Sequence, residues 1–182
     1  MNYPGIKKEY HKYKTFANRG MDLEYLINQA NEYYLSSDKA VIYKKPTPIG
    51  IKKTNYKNGT IDGFFQSQST LDYNGVYKGY YLDFDAKETN LRTSFPLANI
   101  HAHQLEHIKR VINHKGIAFL IISINTEFYL LDGKILLNFI SNNERKSIPY
   151  DFIKENAIKI ELKASPTLDY LKAVDILIKE EK

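Results

Sequence analysis

STLDYNGVYKGYYLDFDAKET, residues Ser69 to Thr89, decides how the rest of the chain is read. It has the pattern of a two-stranded hairpin loaded with carboxylates. Side chains two apart on a strand share a face, so Thr70 goes with Asp72 and Asp85 with Lys87. Leu82, Phe84 and Ala86 form the opposite, apolar face of the second strand. The Tyr77-Lys78-Gly79 turn brings the first strand's acid alongside the second strand. An acid followed by acid-x-lysine is the arrangement of a metal-dependent nuclease, in which two carboxylates hold a divalent cation at a phosphodiester and the ammonium offsets developing negative charge. The same spacing also arises on any exposed hairpin rich in Asp and Lys, so the remainder of the chain has to discriminate.

A chain of 182 residues, 43% hydrophobic and 13% aromatic, is long enough for one domain with a sizeable core. Its longest apolar run, Ile117–Ile122, has the length of a strand, and the N-terminus lacks an apolar signal core, which leads to the expectation of a soluble cytoplasmic protein without membrane association. The absence of cysteine excludes disulfides and thiolate zinc sites. The net charge of +5 is localised. Residues 1–60 carry 11 Lys or Arg against 5 Asp or Glu, and between Lys39 and Ile61 there are six lysines and no acid. A polyanion suits such a segment, through phosphate contacts and counterion release, although a basic loop also serves solubility.

Taken in order, residues 1–16 read as a flexible basic arm and 17–182 as a single domain. A helix is expected from Gly20 to Leu35, capped by Asn18, with Arg19 toward phosphate and Glu24 favoured in the first turn by the helix dipole. Ala40–Lys45 reads as a strand stopped by Pro46-Thr47-Pro48, and Ile49–Gln66 as a projecting basic ribbon around an Asn58-Gly59 turn, an insertion at about 47–67. Beyond the hairpin, Pro96 is expected to open a helix to His114 that carries His101, His103, His107 and His114. His103 and His107 have the i, i+4 spacing of zinc ligands but lack the glutamate that follows the first histidine of a zinc protease. Gln104 on the same helix is a candidate oxygen ligand beside the carboxylates. Ile117–Asn125 reads as a buried central strand, Glu127–Asp132 as its neighbour and Gly133–Ser141 as a helix. In Ser147-Ile148-Pro149 the serine or its neighbour is read as capping a short helix to about Lys154, Ala157–Leu162 as an edge strand, and the chain end from about Leu168 as a helix. The order gives a mixed α/β domain with a central mixed sheet flanked by helices, the arrangement of the restriction-endonuclease-like core.

Several words stand in order along the chain: Asn18-Arg19-Gly20-Met21, Asn31-Glu32-Tyr33-Tyr34, Lys44-Lys45-Pro46-Thr47-Pro48, Ser69-Thr70 with Asp72-Tyr73-Asn74-Gly75-Val76-Tyr77-Lys78-Gly79, Ala86-Lys87-Glu88-Thr89, Phe95-Pro96-Leu97, His101-Ala102-His103-Gln104 and Lys146-Ser147-Ile148-Pro149. In these the sequence closely resembles the RecU family of bacterial Holliday-junction resolvases, over nearly its whole length. The resemblance implies a homodimer that makes paired nicks in four-way junction DNA with Mg²⁺ or Mn²⁺, one active site per subunit. It also implies a role in recombination, repair and chromosome segregation, with the RecA recombinase as a partner. By position it assigns Thr70, Asp72, Asp85 and Gln104 to the metal and Lys87 to transition-state stabilisation, with the ribbon as a stalk entering the junction centre. Arg19, Lys44, Lys45, Lys52, Lys53 and Lys57 are then the DNA-binding candidates. The chain departs from the family at Asp85, where glutamate is usual, and at Gln66, where a basic residue is expected. A carboxylate withdrawn by about one methylene costs on the order of 10²-fold in rate if the loss of reach is not made good. A junction-binding protein that has lost efficient cleavage is the alternative these departures leave open.

Overall fold

The computed structural model describes residues 22–66 and 70–180. The basic arm, the Asn18 cap and Arg19 lie outside them. Helix α1, Leu23–Ser36, is capped by Asp22, whose carboxylate accepts from the Glu24 N–H at 3.1 Å. Glu88, at the end of the acidic hairpin, accepts from the Leu23 N–H at 2.8 Å, so two acids meet the positive end of the helix dipole. Thus Glu88 of the Ala-Lys-Glu-Thr word ties α1 to the hairpin.

Strands β1 (Val41–Lys44), β4 (Tyr73–Tyr77), β5 (Tyr80–Glu88), β7 (Ile117–Ile124), β8 (Glu127–Asp132) and β10 (Ile158–Ile160) form one six-stranded sheet in the order β1-β4-β5-β7-β8-β10. All neighbours are antiparallel except β5 and β7, which run parallel. A parallel pair needs a crossover connection, and helix α2 (Ala102–Asn113) supplies it. The β4–β5 loop is the two residues Lys78-Gly79, both at positive φ (50° and 82°), the type I′ geometry that matches strand twist. Gly75 is required where β1 crosses close: a Cβ there would sit 2.1 Å from the Val41 carbonyl oxygen.

Alternation along the buried strands sends side chains to two cores. Leu82, Phe84, Phe119, Ile121 and Leu130 pack beneath α1 and the last helix, α5 (Leu171–Glu180). Ala118, Leu120, Ile122, Tyr129 and Leu131 pack on the other face with α2, α3 (Gly133–Asn142) and α4 (Tyr150–Asn156). The Tyr73, Phe84 and Phe119 rings stack in sequence across β4, β5 and β7, with centroids 5.0 and 4.6 Å apart. Each such buried side chain contributes about 1.5–3 kcal/mol of hydrophobic stabilisation. The β5 face opposite the aromatic ladder carries Asp83, Asp85 and Lys87.

The basic ribbon is a separate two-stranded unit, β2 (Ile49–Asn55) with β3 (Thr60–Phe65). Asn55 pairs with Thr60, so the connection is a four-residue loop, Tyr56 to Gly59, rather than a bare Asn58-Gly59 turn. Ile51, Tyr56, Ile61 and the lysines 52, 53 and 57 are exposed.

Besides α1, which begins at Leu23 behind an Asp22 cap rather than at Gly20 behind Asn18, three boundaries differ from expectation. Pro96 ends a short strand, β6 (Ser94–Pro96), and is followed by a single 3₁₀ turn at Leu97–Asn99, so α2 begins only after His101. Ser147 likewise lies in a strand, β9 (Ser147–Pro149), which pairs antiparallel with β6 before α4 starts. Prolines at N1 and at a strand end have the same local signature, and a tertiary pairing between Phe95 and Ile148 selected the strand in both places. The third is the last helix, which starts at Leu171, three residues after the expected Leu168.

Candidate active site

The hairpin and α2 together build one polar cluster against the sheet. Asp72 immediately precedes β4, while Asp83, Asp85 and Lys87 alternate along β5 toward α2. Gln104 and His107, one turn apart on that helix, face the two β5 acids in turn. Gln104 Nε2 donates to Asp85 Oδ2 at 2.5 Å and to the Thr70 carbonyl at 3.2 Å. The His107 ring nitrogen lies 2.8 Å from Asp83 Oδ2. Thr70, Asp72, Asp85, Lys87 and Gln104 are therefore gathered as expected. One detail differs: the Gln104 amide oxygen expected toward a cation accepts instead from the His101 N–H, as half of a capping box at the start of α2.

Asp85 is fully buried, and Lys87 Nζ lies 2.9 Å from its Oδ2. Its Oδ1 is buried with no hydrogen-bond partner. Burial, followed by the neighbouring Asp72 carboxyl, pushes the Asp85 carboxyl up to about 7, against the opposing pull of Lys87. Two carboxylates side by side, one with an orphaned buried oxygen, fit a hard divalent cation that takes oxygen ligands. Thr70 adds a neutral hydroxyl oxygen. Among the described residues no group of three or more His, Cys, Asp or Glu is arranged to hold a metal ion. The histidines are spread accordingly: His101 and His103 stack on each other with centroids 5.4 Å apart, and His107 is engaged with Asp83.

Asp83 escaped the sequence reading, and so did the partners of Lys45. Asp83 is fully buried and is met by Lys45 Nζ at 2.7 and 2.9 Å, by the Tyr81 hydroxyl at 2.8 Å and by His107. The signal was present in Asp83-Phe84-Asp85, since two acids at i, i+2 share a face. Lys45, expected on the DNA-binding surface, turns its ammonium inward to the buried Asp83 carboxylate. Lys44 alternates to the other side and pairs with Glu24, both of them exposed. Lys52, Lys53 and Lys57 lie exposed on the β2–β3 ribbon, Lys52 over the Phe64 ring.

The model of the RecU family, Recombination protein U, matches residues 18–176. The chain belongs to this family. Among RecU relatives, the Holliday junction resolvase RecU of Oceanobacillus iheyensis is 47% identical over 173 residues, covering 90% of this chain and 88% of its own. The Holliday junction resolvase RecU of Streptococcus mutans is 46% identical over 168 residues, covering 88% and 85%. Among solved structures, a Holliday junction resolvase of Archaeoglobus fulgidus covers 73% of this chain with a TM-score of 0.44 and 7% identity, too remote to carry an inference. All the cluster residues fall inside the segment that matches the RecU model. No helix among the described residues is long and apolar enough to cross a membrane.

Proposed function

We propose that this RecU-family chain is a Mg²⁺- or Mn²⁺-dependent endodeoxyribonuclease that resolves four-way junctions by paired nicks, as a homodimer with one active site per subunit. The observation that carries the reading is the meeting of Asp72, Asp85 and Lys87 in one cluster, with a buried Asp85 oxygen left without a partner. Thr70, Asp72 and Asp85 would hold the cation, and Gln104 fixes the Asp85 carboxylate in place. When bound, the cation supplies positive charge at the scissile phosphate and acidifies the attacking water. Lys87, half-buried and anchored on Asp85, presents an ammonium to the phosphate oxygens on which charge grows during in-line displacement. Its burial strengthens that interaction by keeping bulk water away.

The stalk places Lys52, Lys53 and Lys57 where they neutralise junction phosphates, with exposed Tyr56 and Ile61 able to contact opened bases. Pairing of nicks requires two sites, and Val41, Val76 and Tyr81, opposite one another across β1, β4 and β5, leave an apolar row for the second copy. In the cell this activity belongs to cytoplasmic recombination and repair, beside the RecA recombinase.

A non-cleaving junction binder is the second reading, resting on Asp85 in place of glutamate. Against it, the aspartate still reaches Lys87, Gln104 and Asp72. A labelled four-way junction incubated in Mg²⁺ and, separately, in Mn²⁺ separates the two. Symmetric nicks that vanish in Asp72→Asn and on chelation support the nuclease. No nicking in either metal overturns it in favour of the binder.

A further inference from the structure

Lys45 holds the first half of the metal site through two independent bonds. Its backbone N–H donates to the Asp72 carbonyl at 2.7 Å, and its ammonium donates to the Thr70 hydroxyl at 3.1 Å. The same ammonium bonds both oxygens of Asp83, which is 0% exposed, while the Lys45 side chain is 18% exposed. Asp83 is fixed in turn by the Tyr81 hydroxyl from its own strand and by His107 from α2. A chain of bonds therefore runs from α2 and β5, through Asp83 and Lys45, to the segment that carries Thr70 and Asp72.

Without this chain, few contacts would hold that segment. Thr70 and Asp72 are only half-buried and precede β4, so the sheet ladder, which begins at Tyr73, does not fix them. Leu71 between them is fully buried in the core beneath α2, and Gln104 holds the Thr70 carbonyl. These two contacts fix the depth of the segment, while Lys45 fixes the hydroxyl and carbonyl that face β1. Two oxygen donors from a loop and one from β5 must converge within fractions of an ångström for a cation to be held, which is what a supporting shell of locked side chains provides.

We infer that Lys45 is a positioning residue of the active site, a buried clamp that sets Thr70 and Asp72 against Asp85, with Asp83 as its anchor. The inference rests on the nuclease reading for its kinetic consequence and on geometry alone for its structural one. It removes Lys45 from the DNA-binding surface, where its neighbours Lys44, Lys52 and Lys53 remain.

The test compares wild type with Lys45→Met, Lys45→Arg, Asp83→Asn and the double variant Lys45→Met/Asp83→Asn. The readouts are single-turnover nicking, junction affinity across a salt series, Mn²⁺ affinity without DNA and amide exchange over residues 70–74. In Lys45→Met the nicking rate falls by about 10–100-fold, Mn²⁺ binds several-fold more weakly and exchange accelerates. Junction affinity and its salt slope stay unchanged, whereas a lost phosphate contact would lower the slope by about 1. Arginine restores most of the rate. The double variant removes the stranded Asp83 charge, so it stays folded if Lys45→Met alone does not. It nicks slowly because the Thr70 tether is still missing. A double variant with full nicking, Mn²⁺ affinity and exchange protection overturns the clamp, as does a Lys45→Met defect confined to junction affinity and salt slope. If wild type itself does not nick, the nuclease reading fails, while Mn²⁺ affinity and exchange still decide the clamp.

Discussion

Asp85 and Glu127 are both β-strand carboxylates in the same sheet, and they are treated in opposite ways. Glu127, on β8, receives the Tyr129 hydroxyl at 2.7 Å, the Tyr150 hydroxyl and Lys159 Nζ at 2.7 Å. These partners pull its carboxyl down to about 2. Asp85, on β5, is more deeply buried, keeps one oxygen without a partner and has a second acid beside it. Hydrogen-bond donors that satisfy an acid stabilise the fold; an acid left short of donors costs stability and is retained where it has work to do. The same sheet thus holds a fully satisfied carboxylate on β8 and, two strands away on β5, an unsatisfied one that we propose to be the reactive acid.

The largest expected difference is in chemistry. Lys87→Ala lowers the junction nicking rate by about 10³-fold or more, as does Asp72→Asn, while Glu127→Gln leaves it within twofold in the same single-turnover assay. Wild-type nicking by Lys87→Ala would break the contrast. Next is pH. Ionisation of Asp85 near 7 must accompany cation binding, so Mn²⁺ affinity rises up to about tenfold per pH unit from pH 5 to 7 and then levels off. Titration calorimetry across that range checks it, and a flat profile would show that Asp85 is not a ligand.

A smaller effect belongs to neither carboxylate. Replacing Lys52, Lys53 and Lys57 by alanine weakens junction binding by about tenfold at physiological salt and flattens the salt slope by up to about 2.7, with Mn²⁺ affinity unaltered. Junction affinity equal to wild type would remove the stalk from the DNA interface.

The smallest effect is on stability, and its sign is what matters. Asp85 has a raised carboxyl, so the folded state keeps a proton that the unfolded chain releases from about pH 4; stability from that proton is present below pH 4 and lost as pH climbs through 7. Asp85→Asn accordingly stabilises the metal-free protein at pH 8, by about 1–2 kcal/mol. Glu127 has a lowered carboxyl, so its contribution is present above about pH 4.5 and lost as pH falls toward 2. Glu127→Gln costs about 1 kcal/mol at pH 8, a figure reduced for solvent screening at a partly exposed group. Chemical denaturation of both variants, with shifts of the same sign, would erase the distinction.

Much of this was legible in the chain itself. Period-two alternation in the hairpin placed Asp85 and Lys87 on one face, and the apolar run Ile117–Ile122 marked the central strand that became β7. Gln104 was legible as a candidate oxygen ligand beside the carboxylates, but the direction of its amide was not, because the capping role depends on where α2 begins. That start was misplaced at Pro96, whose strand pairing with β9 spans some fifty residues and leaves no local trace. The partner of Lys45 was missed for a related reason. A lysine in a run of lysines reads as surface, and only the fold reveals a buried Asp83 across from it.

The most direct test of the central claim is single-turnover nicking of a labelled four-way junction by Asp85→Asn beside wild type, at saturating protein in Mg²⁺. The account predicts symmetric nicks from wild type and a rate lower by about 10³-fold or more in the variant, with junction affinity retained. Nicking by Asp85→Asn within tenfold of wild type would contradict it and place the nuclease centre elsewhere on the chain.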